Sequence, residues 1–175
     1  VVLRGNIHEI VNKESQACDL VIIGKSGTNP LGRRRFGSTA KALIKHHQKP
    51  LLLIEENTQL GYPIIVIYED SPLGKISLET ARNLIDPEET LVIFLNADDP
   101  DDFSITATKL KQWGIENKIN ISIESFKLLA ISRVIGIVED MKTGLFILPH
   151  NNESLLINRF ELFLEEIRLP IFLIR

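Results

Sequence analysis

The sequence predicts an α/β protein built on a doubly wound, Rossmann-like parallel sheet. Short runs rich in Val, Ile and Leu, such as Asp19–Gly24 and Pro63–Tyr68, alternate with longer amphipathic stretches. Covered parallel strands joined by crossover helices leave that alternation in a sequence. Composition agrees, because 175 residues with 44% hydrophobic and 25% charged side chains make a globular chain rather than a disordered or collagen-like one. A third observation is internal repetition: His46–Ile54 (HHQKPLLLI) matches Glu166–Ile174 (EIRLPIFLI) at a shift of 120 positions.

The elements follow in order. Val1–Arg4 is a first apolar run, Gly5-Asn6 a turn and helix cap, and Ile7, Ile10 and Val11 carry helical spacing to about Ala17. Asp19–Gly24 is a strand, and a polar, glycine-bearing loop runs from Lys25 to Phe36. Ser38 then opens a helix with Ala40, Leu43 and Ile44 on one face, and Pro50–Ile54 closes the unit as a strand. Leu60-Gly61-Tyr62 reads as a linker before a fresh strand at Pro63–Tyr68. Beyond it come a helix near Ile76–Ile85, a strand at Thr90–Leu95, a helix from Phe103 to about Trp113 and a strand at Ile119–Ser125. A helix at Leu128–Met141, a strand at Leu145–Leu148, a helix at Glu153–Ile167 and a last strand at Pro170–Ile174 complete the pattern. The expected units are therefore 1–58 and 62–175.

Extending the repeat backwards sets Leu20–Ile23 on Gly144–Ile147, the helix after Gly5 on Leu128–Met141, and Val1–Arg4 on the strand at Ile119–Ser125. Two tandem copies of one module are expected, the first without its opening two strands and two helices.

Charge and composition exclude several function classes. Twenty basic against 23 acidic residues leave a formal charge of −3, with no excess of cations for a nucleic-acid backbone. Cys18 is the one cysteine, so no internal disulfide forms, and no Cys/His cluster has zinc spacing. A reducing, cytoplasmic setting is expected. Leu51–Ile54 and Leu169–Ile174 are far shorter than the ~20 residues that cross a bilayer as a helix, so no membrane insertion is expected. The opening residues have neither an initiator Met nor a signal-peptide pattern.

One motif carries chemistry. The strand ending at Ile23 runs into Gly24-Lys25-Ser26-Gly27, then nine residues, then Gly37-Ser38 at a helix start, which is G-x2-G-x9-G-S. Glycines let backbone amides approach an anion closely, and unpaired amides at Gly37, Ser38 and Thr39 sit where the helix dipole is positive. Lys25 and Arg33-Arg34-Arg35 raise the local positive potential. A polyphosphate suits such a cradle; the other reading is a tight strand-to-helix loop. Gly27–Gly32 has P-loop glycine spacing, but Arg33-Arg34 stand where Lys and Ser/Thr are required. No G-x-G-x-x-G follows a strand, so the dinucleotide fingerprint is missing as well.

The run from Ala17 to Ile54, with its strand, G-x2-G-x9-G-S, helix and proline-led closing strand, resembles the ATP-binding half of the universal stress protein family. Val1–Ile54 carries the strong match. The resemblance implies an adenine nucleotide alpha hydrolase-like fold and ATP as ligand, with or without Mg²⁺. It also implies that Gly24, Gly27, Gly37 and Ser38 hold phosphates and ribose, with Ser26 and Thr39 adding polar contacts. Family members use an Asp at the end of their first strand for the adenine end; that strand of the first copy is absent here, and Asp70 is its positional counterpart in the second. There Leu148–Glu153 (LPHNNE) replaces the glycine loop, so the second copy is expected to bind no nucleotide. In this family the closing strands of two domains pair across a two-fold axis, which implies pairing of Leu51–Ile54 with Ile171–Ile174 within one chain, or a homodimer.

Other candidates read as structural. His46 and His47 are adjacent and point about 100° apart on a helix, so they cannot share one ion; they read as solvated helix-end residues. His8 and His150 have no metal partners at suitable spacing. Cys18 reads as a buried small residue. Asp98–Asp102 lacks the ligand spacing of a calcium loop, and Asp102 reads as a helix cap. Ser26, Ser38 and Ser71 lack a G-x-S-x-G elbow. The expectation is a non-enzymatic, ATP-binding stress-response sensor or regulator, slow hydrolysis left open. The competing expectation is a nucleotide-free interaction module, such as the regulatory part of a transporter.

Overall fold

The computed structural model describes residues 4–26, 37–56, 58–97, 99–126, 131–138, 141, 143–150 and 163–175. Helix α1 (Ile7–Glu14) ends in a single 3-10 turn and is followed by β1 (Val21–Gly24), α2 (Ser38–His46) and β2 (Leu51–Ile54). Then come β3 (Gln59–Tyr68), α3 (Pro72–Leu84), β4 (Thr90–Asn96), α4 (Pro100–Asn117) and β5 (Asn120–Phe126). Helix α5 (Ile131–Val138), β6 (Thr143–Pro149), a helical stretch at 163–166 and β7 (Ile171–Ile174) complete the chain. The α/β class stands. Val1–Leu3 and most of the helix expected at 153–167 lie outside the described residues.

Two helices begin one turn earlier than periodicity suggests, because Pro at a first helical position removes a donor that has no partner there anyway. Ser71 Oγ accepts from the Gly74 amide at 3.1 Å, so α3 starts at Pro72. Asp99, not Asp102, caps α4: its Oδ1 accepts from the amides of Asp101 and Asp102 at 2.9 and 2.8 Å. At the far end of α4, Lys118 turns left-handed (φ 57°), and the Ile119 amide returns to Gly114 O at 2.9 Å.

The expected linker is a strand. Leu60-Gly61-Tyr62 lie inside β3, which pairs with β6 from Gln59↔Thr143 through a register irregularity to Ile64↔Leu145. Glycine and proline marked a break that cross-strand bonding overrides.

All seven strands form one sheet in the order β1-β2-β7-β6-β3-β4-β5. Every neighbouring pair is parallel except β2 and β7, which run antiparallel with Leu51↔Leu173, Leu52↔Phe172 and Leu53↔Ile171. The repeated segments thus meet side by side. Their surroundings match by hydrogen bond: Val21 N to Pro50 O (3.0 Å) parallels Phe146 N to Pro170 O (2.9 Å), and Lys25 N to Ile54 O (2.6 Å) parallels His150 N to Ile174 O (2.9 Å). Val21 therefore corresponds to Phe146, one residue beyond the alignment of Leu20–Ile23 with Gly144–Ile147.

Each face of the sheet carries its own core. On one, α2, α5 and the 163–166 stretch bring Leu43, Ile44, Val134, Phe163 and Leu164 onto Leu53, Phe94, Phe146 and Leu173. Phe146 and Phe163 meet edge to face at 5.7 Å. On the other, Leu78 and Ala81 of α3 with Ala107 and Leu110 of α4 cover Val66, Leu91, Ile93 and Ile147.

Polar side chains beside the β2–β7 seam reach across it in both directions. The Lys25 ammonium donates to Ile167 O, just past the 163–166 stretch. Arg175 donates to the carbonyls of Leu43 and Ile44, and His150 Nε2 lies 3.2 Å from Ile44 O, in the last turn of α2. Cations and N–H donors at helix C-termini satisfy carbonyls that have no intrahelical partner. Lys41 and Glu165 add an ion pair of 3.0 Å.

Two predictions follow from this packing. Phe146→Ala removes a side chain with no solvent exposure and should cost about 3–5 kcal/mol in urea unfolding. Burial and the Arg175 charge push His150 down to about 4 from 6.5. Between those values the unfolded chain binds more protons than the folded one, so stability should fall by ~3 kcal/mol as pH drops from 6.5 to 4. Replacement by Gln should flatten that slope in urea titrations across this range; an unaltered slope would contradict the assignment.

Candidate functional site

Strand β1 ends at Gly24 on an outer part of the sheet, and α2 starts at Ser38. The residues that bound the glycine loop meet: the Gly37 amide donates to Lys25 O at 3.1 Å. That bond draws Gly24, Ser26, Gly37, Ser38 and Thr39 to one end of the β1–α2 unit, at the carboxyl edge of the sheet where open α/β folds bind ligands. Gly27 and Arg33–Arg35 lie outside the described residues.

Three features bear on whether this corner fits a phosphate tail. Gly37 is the N-cap of α2, and among the described residues no side chain there accepts from the first-turn amides, an arrangement that suits an anionic acceptor at the positive end of the helix. Ser38 is exposed and Thr39 half-buried. A Cβ built on Gly24 would meet only Ser26 O, at 3.8 Å. Among the described residues nothing packed around position 24 calls for glycine, and the bare backbone there leaves room for a ligand to approach. These residues fit the group.

Lys25 departs from expectation. Its side chain is buried, turned toward Ile167 O and ion-paired with Glu55 at 3.8 Å. Burial lowers its ammonium to about 8, against the opposing pull of Glu55. The charge expected to strengthen the anion cradle instead serves the seam. Adjacency to a glycine loop gave no sign of that direction, because the partner carbonyl is 142 residues away.

The histidines and the cysteine also sort differently from the sequence reading. His46 is exposed as expected, but His47 is buried, with Nδ1 against Asn12 Oδ1 and Nε2 without a hydrogen-bond partner. Desolvation, then the charges of Arg175 and Lys49, lower its pKa. His150 is buried too. Cys18, expected inside, is exposed and free, since the backbone after the 3-10 turn leaves it outside the helix face that packs. Among the described residues, no group of three His, Cys, Asp or Glu side chains could hold a metal, and no helix is long and apolar enough to cross a membrane.

A cavity of about 370 Å³ opens beside the end of β3, lined by Tyr68, Asp70, Lys75, Glu79, Lys109 and Trp113 among others. Asp70, the counterpart of the adenine-end acid, is ion-paired there with Lys109 at 3.3 Å and Lys75 at 3.5 Å. The hydrogen bond from Lys109 holds its carboxyl below the ordinary carboxylate value. Burial, with Asp70 beside it, raises the Tyr68 phenol to about 12. Of its lining, the sequence reading singled out Asp70 alone, because the other residues come from a strand and two helices spread over 46 positions.

Comparison with known proteins bears on the fold and on the segment that carries the glycine motif. Residues 2–55 match the model of the universal stress protein family. A universal stress protein from Archaeoglobus fulgidus DSM 4304 superposes with a TM-score of 0.73 at 15% identity, over 96% of this chain and 64% of that one. A protein of Pseudomonas aeruginosa UCBPP-PA14, provisionally described as a universal stress protein, gives 0.66 at 15% identity over 98% of this chain and 69% of its own. A functionally unknown protein of Pseudomonas aeruginosa PAO1 gives 0.64 at 13%, over 98% and 68%. The chain thus spans less than two thirds of the Archaeoglobus protein. No curated protein matches it. The segment 2–55 carries the sequence pattern of the universal stress protein family, and the chain as a whole has the fold of solved universal stress proteins.

Proposed function

We infer that this protein is a stress-response module that binds ATP, or a related adenine nucleotide, at the β1–α2 corner and acts as a sensor or regulator. The observation that carries the reading is the 3.1 Å bond between Gly37 N and Lys25 O, which gathers the glycines beside an uncapped helix start. Anionic phosphate oxygens suit the first-turn amides of α2, and the bare backbone at Gly24 allows a phosphate to lie against the chain. Ser26, Ser38 and Thr39 supply hydroxyls for further hydrogen bonds. Mg²⁺ would accompany the nucleotide as its counter-ion.

Holding, rather than hydrolysing, is the better-supported activity. Glu55, a carboxylate close behind the loop, is committed to Lys25, so it is not available to take a proton from an attacking water. The half built from β3 to β7 binds no nucleotide in this reading. Asp70 is engaged by two lysines, and His150 follows β6 where Lys25 follows β1, turned into the seam. The exposed thiol of Cys18 suits a reducing compartment such as the cytoplasm.

Calorimetric titration of ATP with Mg²⁺ tests the proposal. Binding is expected, with loss of at least tenfold in affinity for Gly24→Val and a smaller loss for Ser38→Ala, while both variants melt within a few degrees of the parent. Asp70→Ala should leave affinity unchanged. Absence of heat and of thermal shift at millimolar ATP would remove the sensor reading and leave a nucleotide-free interaction module.

A further inference from the structure

Away from the glycine corner, side chains of three elements converge on the cavity beside the end of β3. Its inner lining is apolar: Leu78 of α3 and Leu110 of α4 are buried, as is Tyr68 on β3. Trp113 of α4 is half-buried and adds a flat aromatic side. A volume of about 370 Å³ lies at the small end of ligand cavities, so the space suits a small molecule with an apolar ring.

The rim adds charge in an uneven ratio. Lys75 and Lys109 stand on different helices, yet both ammoniums reach the Asp70 carboxylate, at 3.5 and 3.3 Å. Among the described residues Asp70 is the acid that each of them meets, so two positive charges share one negative charge. Glu79 does not redress this, because its two oxygens are engaged by Arg82 at 2.9 Å and by the Trp113 indole N–H at 3.4 Å. An ammonium has three donors and a carboxylate about four acceptor sites, so the two lysines together offer more N–H groups than Asp70 can accept. Ion pairs this exposed add little to stability, and holding the fold together does not account for their convergence. A ligand with one negative charge restores the balance; a polyphosphate would set several charges against Asp70 and Glu79, which line the same cavity.

We propose that this cavity binds a small aromatic monocarboxylate. The ring lies on Leu78 and Leu110 beside Trp113, and the carboxylate bridges Lys75 and Lys109, which Asp70 holds in place. Burial of the ring supplies the attraction, and the paired ammoniums select the anion. Strands β2, β7 and β6 stand between this site and the β1–α2 corner, so the proposal does not rest on nucleotide binding there.

Trp113 is the one tryptophan of the chain, and its emission therefore reports on the cavity directly. Titration with benzoate or phenylacetate should change that emission saturably in the millimolar range or below. Benzamide and phenylacetamide, equal in shape but uncharged, should bind at least tenfold more weakly. Combining Lys75→Gln with Lys109→Gln, both at exposed side chains, should weaken the carboxylates at least tenfold, leave the amides unchanged and keep the melting temperature within a few degrees. Saturating ATP with Mg²⁺ should not alter carboxylate affinity. The proposal is overturned by the lack of a saturable change with either carboxylate at tens of millimolar, by amides that bind equally well, or by carboxylate affinity that survives the double substitution. Displacement by ATP would overturn it too, since the cavity would then belong to a nucleotide site.

Discussion

The antiparallel bonding of β2 to β7 is the constraint on which the rest of the structure depends. Among the described strands it is the bond that joins β1 and β2 to the rest of the sheet. With it, Leu51 and Leu53 lie beside Ile171 and Leu173 within one core that also holds Leu43 and Phe163. The polar contacts beside the seam follow from the same geometry. Antiparallel strands send the chain away in opposite directions, so each half presents the C-terminal turn of its helix to the residues that follow the other half's strands. Lys25 meets Ile167 O from one side, while His150 and Arg175 meet the last turn of α2 from the other.

This exchange also reaches the glycine corner. Lys25 follows directly on Gly24, and its backbone carbonyl accepts from Gly37 while its side chain is held across the seam. One residue thus couples the shape of the glycine corner to the contact between halves. The backbone closes the corner, and the ammonium, brought down to about 8 by burial, anchors it. At the equivalent place after β6 stands His150, neutral at ordinary pH and bonded to a carbonyl of α2. The two corners differ in chemistry although the hydrogen bonds of the strands beneath them match.

Much of the fold was legible because burial imposes periodicity. Strands covered on both faces read as uninterrupted runs, as at Leu91–Leu95 and Leu51–Leu53, and α2 shows its core face as Ala40, Leu43 and Ile44. Errors fell where a local signal had two physical meanings. Pro72 and Pro100 look like breaks but sit in the first turn of a helix; Leu60-Gly61-Tyr62 look like a linker but lie within β3. Of the candidate site, the glycine spacing was legible and the direction of the Lys25 side chain was not. Of the cavity beside Tyr68 only Asp70 was legible, since the residues that complete it are distant along the chain.

By itself the sequence determined the alternation of strands and helices, the glycine corner after β1, and the likeness between the two closing strands, because each is encoded within a few neighbouring residues. The tertiary structure decided that those closing strands bond within one chain, that Lys25, His47 and His150 are buried, and that Cys18 is exposed. Each of these depends on which distant surface arrives alongside, and a side chain's surroundings in a sheet are set by strand order rather than by the residues next to it.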